Sequence, residues 1–546
     1  MARLSKRYGP KGAFAPERLP PPPPEPEPEP EPQPELMPSY AYPLPLARTA
    51  NTAVAGDGLV GVDAATLRAA IANNLWLHAA GAGAGAGHAN TERLVVPVRG
   101  AGSRLWDTEG REYLDGRTDE TGANLGHGRQ EVAAAMAAQG ERLPAASPDT
   151  PSVPAALLAG RLAALSPTGA GSRVLFTPAG SEAVEVALKV ARAYQRAAGF
   201  PGRYKVIGRH YADHGGTAGA LAVSGLAHLK TPFEPLVPGT IHVTPPYRYR
   251  CPYCADAEGC TYACADEAGR AIALAGPELV AAVVVEPVQS GGGCIVPPPG
   301  YHERVRAACD AHGVLLIADE TTCGMGRVGT LFASEAFELR PDIVAVSGGL
   351  TGGYAALGAV IVAKDVANAV LGNEREMFVH SVQTGAFAGL PVAAAAALAT
   401  LDLLEREELP GRSRDMGAYL LRELETALRD HPEVGEIRGM GLFVAVELVR
   451  DRDTRALLDD LALLRSLADE TQRRGLLCRV DARPFPVIRL APPFTIERED
   501  VDRVVAIIAA SLDAVRGTIG TDTSGRTVPD SGRLQLQPAD APNPAG

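Results

Sequence analysis

Short runs of apolar, mostly β-branched residues alternate along the middle of the chain with Ala-, Leu- and Arg-rich segments of helical length. The runs predict buried strands, and the helical segments carry apolar residues three and four positions apart, as in Val184, Leu188 and Ala191. The predicted strands are Arg173–Thr177, Val283–Glu286, Val314–Ala318, Ile343–Ser347 and Ala359–Val362, and the predicted helices are Ser181 to about Ala198 and Tyr301–His312. This alternation is typical of an α/β fold with a mostly parallel sheet covered by helices on both faces.

Both ends of the chain lack this periodicity. Residues 1–45 are rich in proline, with Glu25, Glu27, Glu29, Glu31 and Glu35 between the prolines, and predict an extended, solvated tail. A ligand for an SH3-type domain is the alternative interpretation of this tail. Residues 517–546 are rich in Thr, Ser, Pro and Gly and predict a second disordered tail.

The composition narrows the class of protein. The 546 residues carry 52 Lys and Arg against 64 Asp and Glu, a formal charge of −12, and this balance without a basic patch argues against nucleic-acid binding. No apolar stretch is long enough to span a bilayer, and the basic start lacks the apolar run of a secretory signal, so a cytoplasmic protein is expected. Only six basic residues are lysines: Lys6, Lys11, Lys189, Lys205, Lys230 and Lys364.

Polar residues follow the predicted strands at the edge where parallel α/β sheets bind ligands. Gly180 and Ser181 open a helix whose free backbone N–H groups suit a phosphate, and an ordinary N-cap serine is the alternative. Asp319 ends an apolar strand, where a carboxylate could hold a protonated ring nitrogen. The alternative is a helix cap or a partner for Arg327.

Several segments recur together in a characteristic order. They are Asn124-Leu125-Gly126-His127, Gly180-Ser181-Glu182-Ala183, His214-Gly215, Glu286-Pro287-Val288-Gln289, Asp319-Glu320, Gly324-Met325-Gly326-Arg327, Gly349-Leu350-Thr351-Gly352-Gly353-Tyr354, Leu357-Gly358-Ala359 and Ala491-Pro492-Pro493. On these motifs the chain, over about residues 75 to 515, resembles the class III aminotransferases, which are pyridoxal-phosphate enzymes of fold type I.

The resemblance implies a large domain with a mainly parallel sheet, at 140–398, and a smaller α+β domain from both chain ends, at 46–139 and 399–516. It also implies a homodimer with active sites at the subunit interface. The residues that it implies for the cofactor are Gly180 and Ser181 at the phosphate, Asp319 at the pyridine nitrogen, and Glu286 and Thr321 near the ring.

The position of the catalytic lysine holds Gly348 instead. In relatives this lysine forms the Schiff base with the cofactor and then moves the proton, and glycine can do neither. No lysine lies between Lys230 and Lys364, so no neighbour in the sequence can replace it. Covalent attachment of pyridoxal phosphate at Gly348 is therefore excluded.

Further positions of the same pocket depart from the family pattern. Asp213 stands where relatives stack an aromatic ring on the pyridine. Ala386 stands where a threonine reaches the phosphate from the partner subunit, with Thr384 as a replacement. Thr121 stands at an aromatic position of the substrate pocket, whereas Arg479 matches the region of the substrate-carboxylate arginine. Changes that converge on one pocket indicate that the ordinary chemistry has been abandoned or replaced.

Asp213 and His214 are the candidates for replacement acid–base chemistry, since a histidine–carboxylate pair suits proton transfer. The alternative is that His214 is the structural histidine of the family's His-Gly pair and that His210 is exposed. Cys323 and Ser347 could act as nucleophiles, but small packing residues are the simpler interpretation.

Half of the eight cysteines form a C-x2-C-x5-C-x3-C cluster, consisting of Cys251, Cys254, Cys260 and Cys264. Four thiolates could hold a structural zinc ion or an iron–sulfur cluster. The alternative is a metal-free loop, because relatives carry a similar Tyr-Arg-Cys-Pro segment without a metal. Disulfides are not expected in a reducing compartment.

Together these features predict a class III aminotransferase-like protein that cannot transaminate through the usual lysine. It would serve a transfer or condensation reaction without covalently bound cofactor, or act as a non-catalytic partner of an active aminotransferase. A second hypothesis is an enzyme that holds pyridoxal or pyridoxamine phosphate non-covalently. A third is a scaffolding dimer whose Pro/Glu-rich tail carries the interactions.

Overall fold

The predicted alternation of strands and helices builds a central sheet with helices on both faces. The structure is a computed structural model that describes residues 64–75, 94–147, 149–254, 259–372 and 385–519. The predicted tail at 1–45 lies outside these residues, and so does 520–546. The last helix continues past the predicted limit at 516 to Ile519.

The elements of the described residues are labelled in chain order. The strands are β1 Pro97–Ala101, β2 Arg104–Asp107, β3 Glu112–Asp115, β4 Arg173–Thr177, β5 Lys205–Arg209, β6 Thr240–Val243, β7 Val280–Val285, β8 Leu315–Asp319, β9 Ile343–Val346, β10 Gly358–Val362, β11 Val434–Gly439, β12 Val444–Asp451, β13 Ala456–Leu457, β14 Leu476–Leu477, β15 Arg479–Asp481 and β16 Val487–Leu490. The helices are α1 Ala64–Asn74, α2 Thr118–Thr121, α3 Gln130–Arg142, α4 Val153–Leu165, α5 Gly180–Ala197, α6 Ala218–Val223, α7 Ala227–Lys230, α8 Ala263–Ala275, α9 Tyr301–His312, α10 Lys364–Leu371, α11 Pro391–Arg406, α12 Leu409–Leu428, α13 Leu461–Arg473 and α14 Arg498–Ile519.

The central sheet has the strand order β4-β10-β9-β8-β7-β5-β6 in the described part of the chain. Neighbouring strands from β9 through β6 run parallel, whereas β10 is antiparallel to both β4 and β9. The expected α/β architecture with a mostly parallel sheet is therefore confirmed. The parallel strands bring their carboxyl ends, and the residues that follow them, to one edge of the sheet.

Strand β7 shows why this sheet must be covered on both sides. All six of its residues are buried, and alternate side chains point to opposite faces. Val283 and Val285 join a core that includes α8, α9 and α11, whereas Ala282 and Val284 join a second core built around α5 and α10. A continuous apolar strand is thus explained by two helical layers, as expected for a parallel sheet.

Helix α9 was predicted with its observed limits because glycine stands at each end. Gly300 has φ +82° and Gly313 has φ +62°, a left-handed conformation that ends a helix at little cost. The predicted strand Arg173–Thr177 also has the limits of the observed β4, whereas the other predicted strands and α5 differ from the observed ones by one to three residues. Such shifts are usual where no glycine or proline marks the limit.

Two smaller sheets flank the central one. The first has the order β1-β2-β3-β14, and its parallel β3–β14 pair joins Leu114 to Leu476. The second has the order β11-β12-β16-β15, with β13 paired to β12. Both chain ends thus contribute to the smaller sheets, as expected. The predicted domain limits at 139 and 398 fall within α3 and α11 and stay predictions.

Candidate functional site

The predicted site residues meet at the carboxyl edge of the central sheet. Asp319 is the last residue of β8, Glu286 directly follows β7, and Gly348 follows β9 after one intervening residue. Helix α5 begins at Gly180, shortly after the end of β4. Strands far apart in sequence therefore place their polar ends side by side.

Asp319 and His214 form a fully buried pair. The Nδ1–H of His214 donates to Oδ2 of Asp319 at 2.7 Å, and both side chains have no exposed surface. Thr321 donates its hydroxyl and its backbone N–H to the other oxygen, Oδ1, at 2.6 and 3.0 Å. Burial lowers the pKa of His214, but the hydrogen bond and the charge of Asp319 outweigh burial and raise it. The buried carboxylate of Asp319 therefore favours the protonated form of His214.

The Nε2 atom of His214 is buried and has no hydrogen-bond partner. The backbone N–H of His214 is fixed by Ser224 Oγ at 2.8 Å. This geometry places His214 behind Asp319, away from solvent, where its hydrogen bond orients the Asp319 carboxylate. Because it has no exposed surface, His214 is poorly placed to take a proton from a substrate directly.

Glu286 lies beside this pair and holds the neighbouring loops. Its Oε1 accepts the backbone N–H of Asp213 at 3.1 Å, and its Oε2 accepts the N–H and hydroxyl of Ser290 at 2.9 and 2.5 Å. Burial is the main cause that raises the pKa of Glu286 to about 7, and the negative charge of Asp319 adds to it. The half-buried Asp213 accepts the N–H of Gly215 at 3.2 Å with its own carboxylate.

The start of α5 is open to an anion. Ala179, at the N-cap position, has no side-chain oxygen to accept the first amides of the helix. A Cβ at Gly180 would lie 3.3 Å from side-chain atoms of Thr321 and Ser347, so glycine allows these segments to approach. Ser181 Oγ accepts the N–H of Gly216 at 3.1 Å. The helix start therefore lies next to Thr321, which binds Asp319.

Gly348 lies against the loop that follows α2. A Cβ at Gly122, which has φ +75°, would come within 2.3 Å of the carbonyl carbon of Gly348. A Cβ at Gly348 would meet nothing closer than 3.6 Å, although its φ is +35°. The two backbones are thus in contact, and a Cβ at Gly348 would be in ordinary van der Waals contact with Gly122 and with the carbonyl oxygen of Thr321. Thr121, the neighbour of Gly122, is exposed.

Arg479 is engaged by carboxylates of the chain itself. Its Nε lies 2.5 Å from Asp481 Oδ1, and its Nη1 lies 2.7 Å from Glu120 Oε1. Burial and Arg489 lower the pKa of Arg479, but Asp481 and Glu120 outweigh them and raise it. The buried Arg489 pairs in turn with Asp119 at 3.1 Å.

Sequence reasoning missed this network of Asp119, Glu120, Asp481 and Arg489. One signal could have found it. Arg489 interrupts the otherwise apolar strand β16, and a charged residue in a buried strand requires a partner. The pairing itself could not be predicted, because the partner segments lie more than three hundred residues apart.

The sequence profile of the aminotransferase class-III family matches residues 86–512. A Mycobacterium tuberculosis protein named a probable aminotransferase is 43% identical over 454 residues, which cover 81% of this chain and 94% of that protein. The chain belongs to the class III aminotransferase family. Its members are pyridoxal-phosphate-dependent enzymes of fold type I.

Solved structures of transaminases agree with this assignment. An (S)-enantioselective omega-transaminase from Thermomicrobium roseum is 37% identical, with a TM-score of 0.76 over 83% of this chain and 99% of that one. An amine transaminase from an uncultivated Pseudomonas species, in its pyridoxal-phosphate-bound form, is 36% identical, with a TM-score of 0.76 over 81% of this chain and 98% of that one.

The remaining candidates of this class III aminotransferase lie at the margins of the site. Cys323 is buried, with its thiol 3.8 Å from the carbonyl oxygen of Asp319, and Ser347 donates to Leu357 O at 3.3 Å. His210 and Ala386 are exposed, and Thr384 lies outside the described residues. The contacts of Cys323 and Ser347 are those of packing residues.

Three of the clustered cysteines, Cys251, Cys254 and Cys264, are buried, and Cys260 is half-buried. Over the described residues, no group of three or more His, Cys, Asp or Glu side chains is arranged to hold a metal ion. A zinc or iron–sulfur site stays a prediction. A search of the same residues finds no helix with the length and apolar character needed to cross a membrane.

Proposed function

We propose that this class III aminotransferase binds pyridoxal or pyridoxamine phosphate without a covalent link and carries out transfer or condensation chemistry without a lysine of its own. The observation that carries the proposal is Gly348 at the end of β9, beside an intact and fully buried Asp319–His214 pair. The lysine side chain that would attach the cofactor is missing, whereas the Asp319 carboxylate that would pair with the protonated ring nitrogen is present.

The positions of the other lysines support this proposal. Lys205 donates to Ala275 O, and Lys230 donates to the carbonyl oxygens of Ala222 and Ser224. Lys364 packs against Gly171, and Lys189 lies exposed on α5, more than two turns from its start. In the described part of the chain, none of these lysine contacts involves Gly348 or Asp319.

The residues present fit a pyridoxal-type cofactor held by its ring and its phosphate. The uncapped start of α5 at Gly180 and Ser181 would receive the phosphate, and Asp319 would receive the protonated ring nitrogen. When bound, the cofactor supplies an electron sink for a carbanion. His214 and Thr321 hold the Asp319 carboxylate in place by hydrogen bonds, and Asp213 is the candidate proton carrier at the open side of the pocket.

A second candidate is a non-catalytic subunit that partners an active aminotransferase. The engagement of Arg479 by Glu120 and Asp481 favours it, because an arginine bound to two carboxylates is not free to bind a substrate carboxylate. Asp213 also adds negative charge where an anionic cofactor would lie.

Either candidate requires a second subunit, and we propose a homodimer or a heteromer through the face of α4. This helix exposes Val153 and Leu157, which are 74% and 60% accessible, and Phe387 is 65% accessible. Exposed apolar side chains one turn apart on a helix support a subunit contact there. Light scattering after gel filtration tests it, and a monomer at all concentrations would contradict it. The cytoplasmic location stays a prediction.

The first experiment measures the binding of pyridoxal and pyridoxamine phosphate by isothermal titration calorimetry. We expect one cofactor per chain, fully released on denaturation, and no mass adduct after borohydride reduction. Asp319→Asn should weaken binding at least about tenfold, which is about 1.4 kcal/mol, whereas the exposed Asp415→Asn should leave it unchanged. No binding by the unaltered protein would favour the partner subunit.

The second experiment restores the lysine. Gly348→Lys should give a borohydride-stable mass adduct with pyridoxal phosphate, and Gly348→Ala is the matched control that should not. An adduct on the unaltered protein would contradict the proposal, because another lysine would then be the attachment site. Binding that is lost in both variants would show that the position cannot hold a side chain.

A further inference from the structure

Residues 290–293, here called the glycine turn, follow shortly after Glu286 in the chain. The N–H of Gly293 donates to the carbonyl oxygen of Ser290 at 3.0 Å and closes the turn. Gly292 and Gly293 have φ of +81° and +86°, a left-handed conformation that favours glycine. All four residues are buried. The turn is therefore an interior structure with one defined shape.

The glycine turn fixes two groups of the candidate site. Ser290 donates its N–H and its hydroxyl to Oε2 of Glu286 at 2.9 and 2.5 Å, and Oε1 of the same carboxylate accepts the N–H of Asp213 at 3.1 Å. A Cβ at Gly291 would lie 1.9 Å from the carbonyl oxygen of Tyr211 and 3.2 Å from the backbone nitrogen of Asp213, so the two segments are in contact. A displacement of the turn would therefore displace the Glu286 carboxylate and the Asp213 backbone.

Arg438, on strand β11 of a smaller sheet, holds the glycine turn by its carbonyl groups. Its Nε donates to the carbonyl oxygen of Gly293 at 2.7 Å, and its Nη2 donates to that of Gly292 at 2.8 Å. Because the guanidinium is planar, two of its N–H groups fix both the distance and the direction of the turn. The Arg438 side chain is only 9% exposed, so water has little access to replace these hydrogen bonds.

The remaining nitrogen of this guanidinium, Nη1, is bound by carboxylates of the same smaller sheet. It lies 2.8 Å from Glu436 Oε2 and 2.7 Å from Glu447 Oε2. Glu447 has no exposed surface and is shared with Arg250, whose Nε lies 2.5 Å from Oε1. The ring of Tyr247 packs on the guanidinium, with its centre 4.5 Å from Cζ. The smaller sheet therefore orients Arg438 toward the glycine turn.

We propose that Arg438 is a positioning residue that couples the smaller sheet to the site: through the glycine turn it holds the Glu286 carboxylate, and through that carboxylate it holds the Asp213 segment. The inference rests on the proposed function for the role of Asp213 as proton carrier, whereas the positioning itself requires no cofactor. Because Arg438 binds the backbone of the turn and the glutamates of its own sheet, it would act on the reaction only through Glu286 and Asp213.

Arg250 provides a matched control for Arg438. Both arginines bind the Glu447 carboxylate, but the second hydrogen bond of Arg250 goes to the carbonyl oxygen of Arg455 at 2.8 Å and not to the glycine turn. Replacing either arginine by lysine keeps a positive charge beside the buried Glu447, so the fold should survive, and removes the planar set of donors. Only the change at Arg438 should then reach Asp213.

The test measures amide hydrogen exchange in the full chain without added cofactor, resolved to single residues by NMR. Arg438→Lys should speed the exchange of the Asp213 N–H at least about tenfold, which corresponds to about 1.4 kcal/mol of lost protection. The N–H of Thr321, which donates to Asp319 at 3.0 Å, is the internal reference and should keep its rate. Arg250→Lys should leave both rates unchanged.

A double-mutant cycle tests whether the coupling runs through Ser290. Ser290→Ala removes the hydroxyl that donates to Glu286 and should also speed exchange at Asp213. Combined with Arg438→Lys, it should add less than its effect alone, because both changes release the same carboxylate. A merely structural role of Arg438 would not produce this dependence of one substitution on the other.

Four outcomes would overturn the proposal. An unchanged rate at Asp213 in Arg438→Lys would remove the coupling, and equal acceleration at Asp213 and Thr321 would mean that Arg438 supports the fold as a whole. The same acceleration in Arg250→Lys would assign the effect to the charge beside Glu447. Independent effects of the two substitutions in the cycle would exclude the path through Ser290. Each outcome is measured whether or not the chain binds pyridoxal phosphate, so a failure of this inference is distinguishable from a failure of the proposed function.

Discussion

Two walls of the candidate pocket differ in how they are built. The ring-holding wall consists of His214, Asp319 and Thr321, whose side chains bind one another in full burial or close to it. The glycine wall consists of Gly122 and Gly348, whose backbones touch without any side chain between them. The first wall depends on each of its members, whereas the second contributes backbone alone, at the position where we propose that the lysine of the family is absent.

The difference has a physical cause. A buried charge is expensive unless it is paired, so neither Asp319 nor His214 can change alone without leaving the other uncompensated. A lysine that leaves a glycine behind removes a charge and a long side chain together, and the fold loses only packing at that point. The stability of the fold therefore constrains the ring-holding wall independently of any role in function.

The largest expected effect breaks the ring-holding wall. Asp319→Ala should lower the free energy of unfolding by about 3–5 kcal/mol, because it leaves His214 buried without its counter-charge. The pKa of His214 should fall, since burial and the charge of Arg209 lower it and only Glu286 then remains to raise it. Urea denaturation and NMR titration measure the two effects. A loss below about 1 kcal/mol would contradict the interdependence, with the exposed Asp415→Ala as control.

The sequence predicted the ring-holding wall better than the rest of the site. Asp319 and Glu286 could be placed because apolar runs mark the strands and polar residues follow them. The burial of His214 and its bond to Asp319 could not, because they depend on two loops that meet only in the folded chain. The engagement of Arg479 by Glu120 joins segments that no local pattern connects.

A second expected effect lies beside that wall, at Glu286. Burial raises its pKa from 4.5 to about 7 in the folded chain, so the native state binds the proton more tightly than the unfolded state. Stability from this group is therefore present at low pH and is lost as the pH rises from about 4.5 to about 7, by about 3 kcal/mol.

Glu286→Gln should remove that part of the pH dependence, as measured by urea denaturation at pH values across the interval. Glu320, whose carboxylate accepts the backbone N–H groups of Ala333 and Ser334 and whose pKa burial raises to about 7, is the matched control. Glu320→Gln should remove a separate part of the dependence of the free energy of unfolding on pH. An unchanged profile for Glu286→Gln would show that its carboxyl group titrates alike in the folded and unfolded chains.

The glycine wall allows a matched pair of alanine substitutions. Gly122→Ala should cost about 2–3 kcal/mol, because its Cβ would overlap the Gly348 backbone at 2.3 Å in a left-handed conformation. Gly348→Ala should cost about 1 kcal/mol, the strain of its positive φ alone. Thermal denaturation of both variants tests the ranking. Equal costs would mean that the two backbones are not in contact.

An expected effect smaller than those of Asp319→Ala and Gly122→Ala probes how the ring-holding wall is shared among its members. Thr321→Val removes the hydroxyl that donates to Asp319 at 2.6 Å but keeps the backbone N–H at 3.0 Å. Since one donor and the His214 bond remain, we expect a loss of about 1.5 kcal/mol, well below that of Asp319→Ala. Thr321→Ser keeps the hydroxyl and should recover most of the loss in urea denaturation. If Ser costs as much as Val, packing of the Thr321 methyl group beside Gly180 contributes as much as its hydrogen bond, and the prediction that the hydroxyl carries the effect is contradicted.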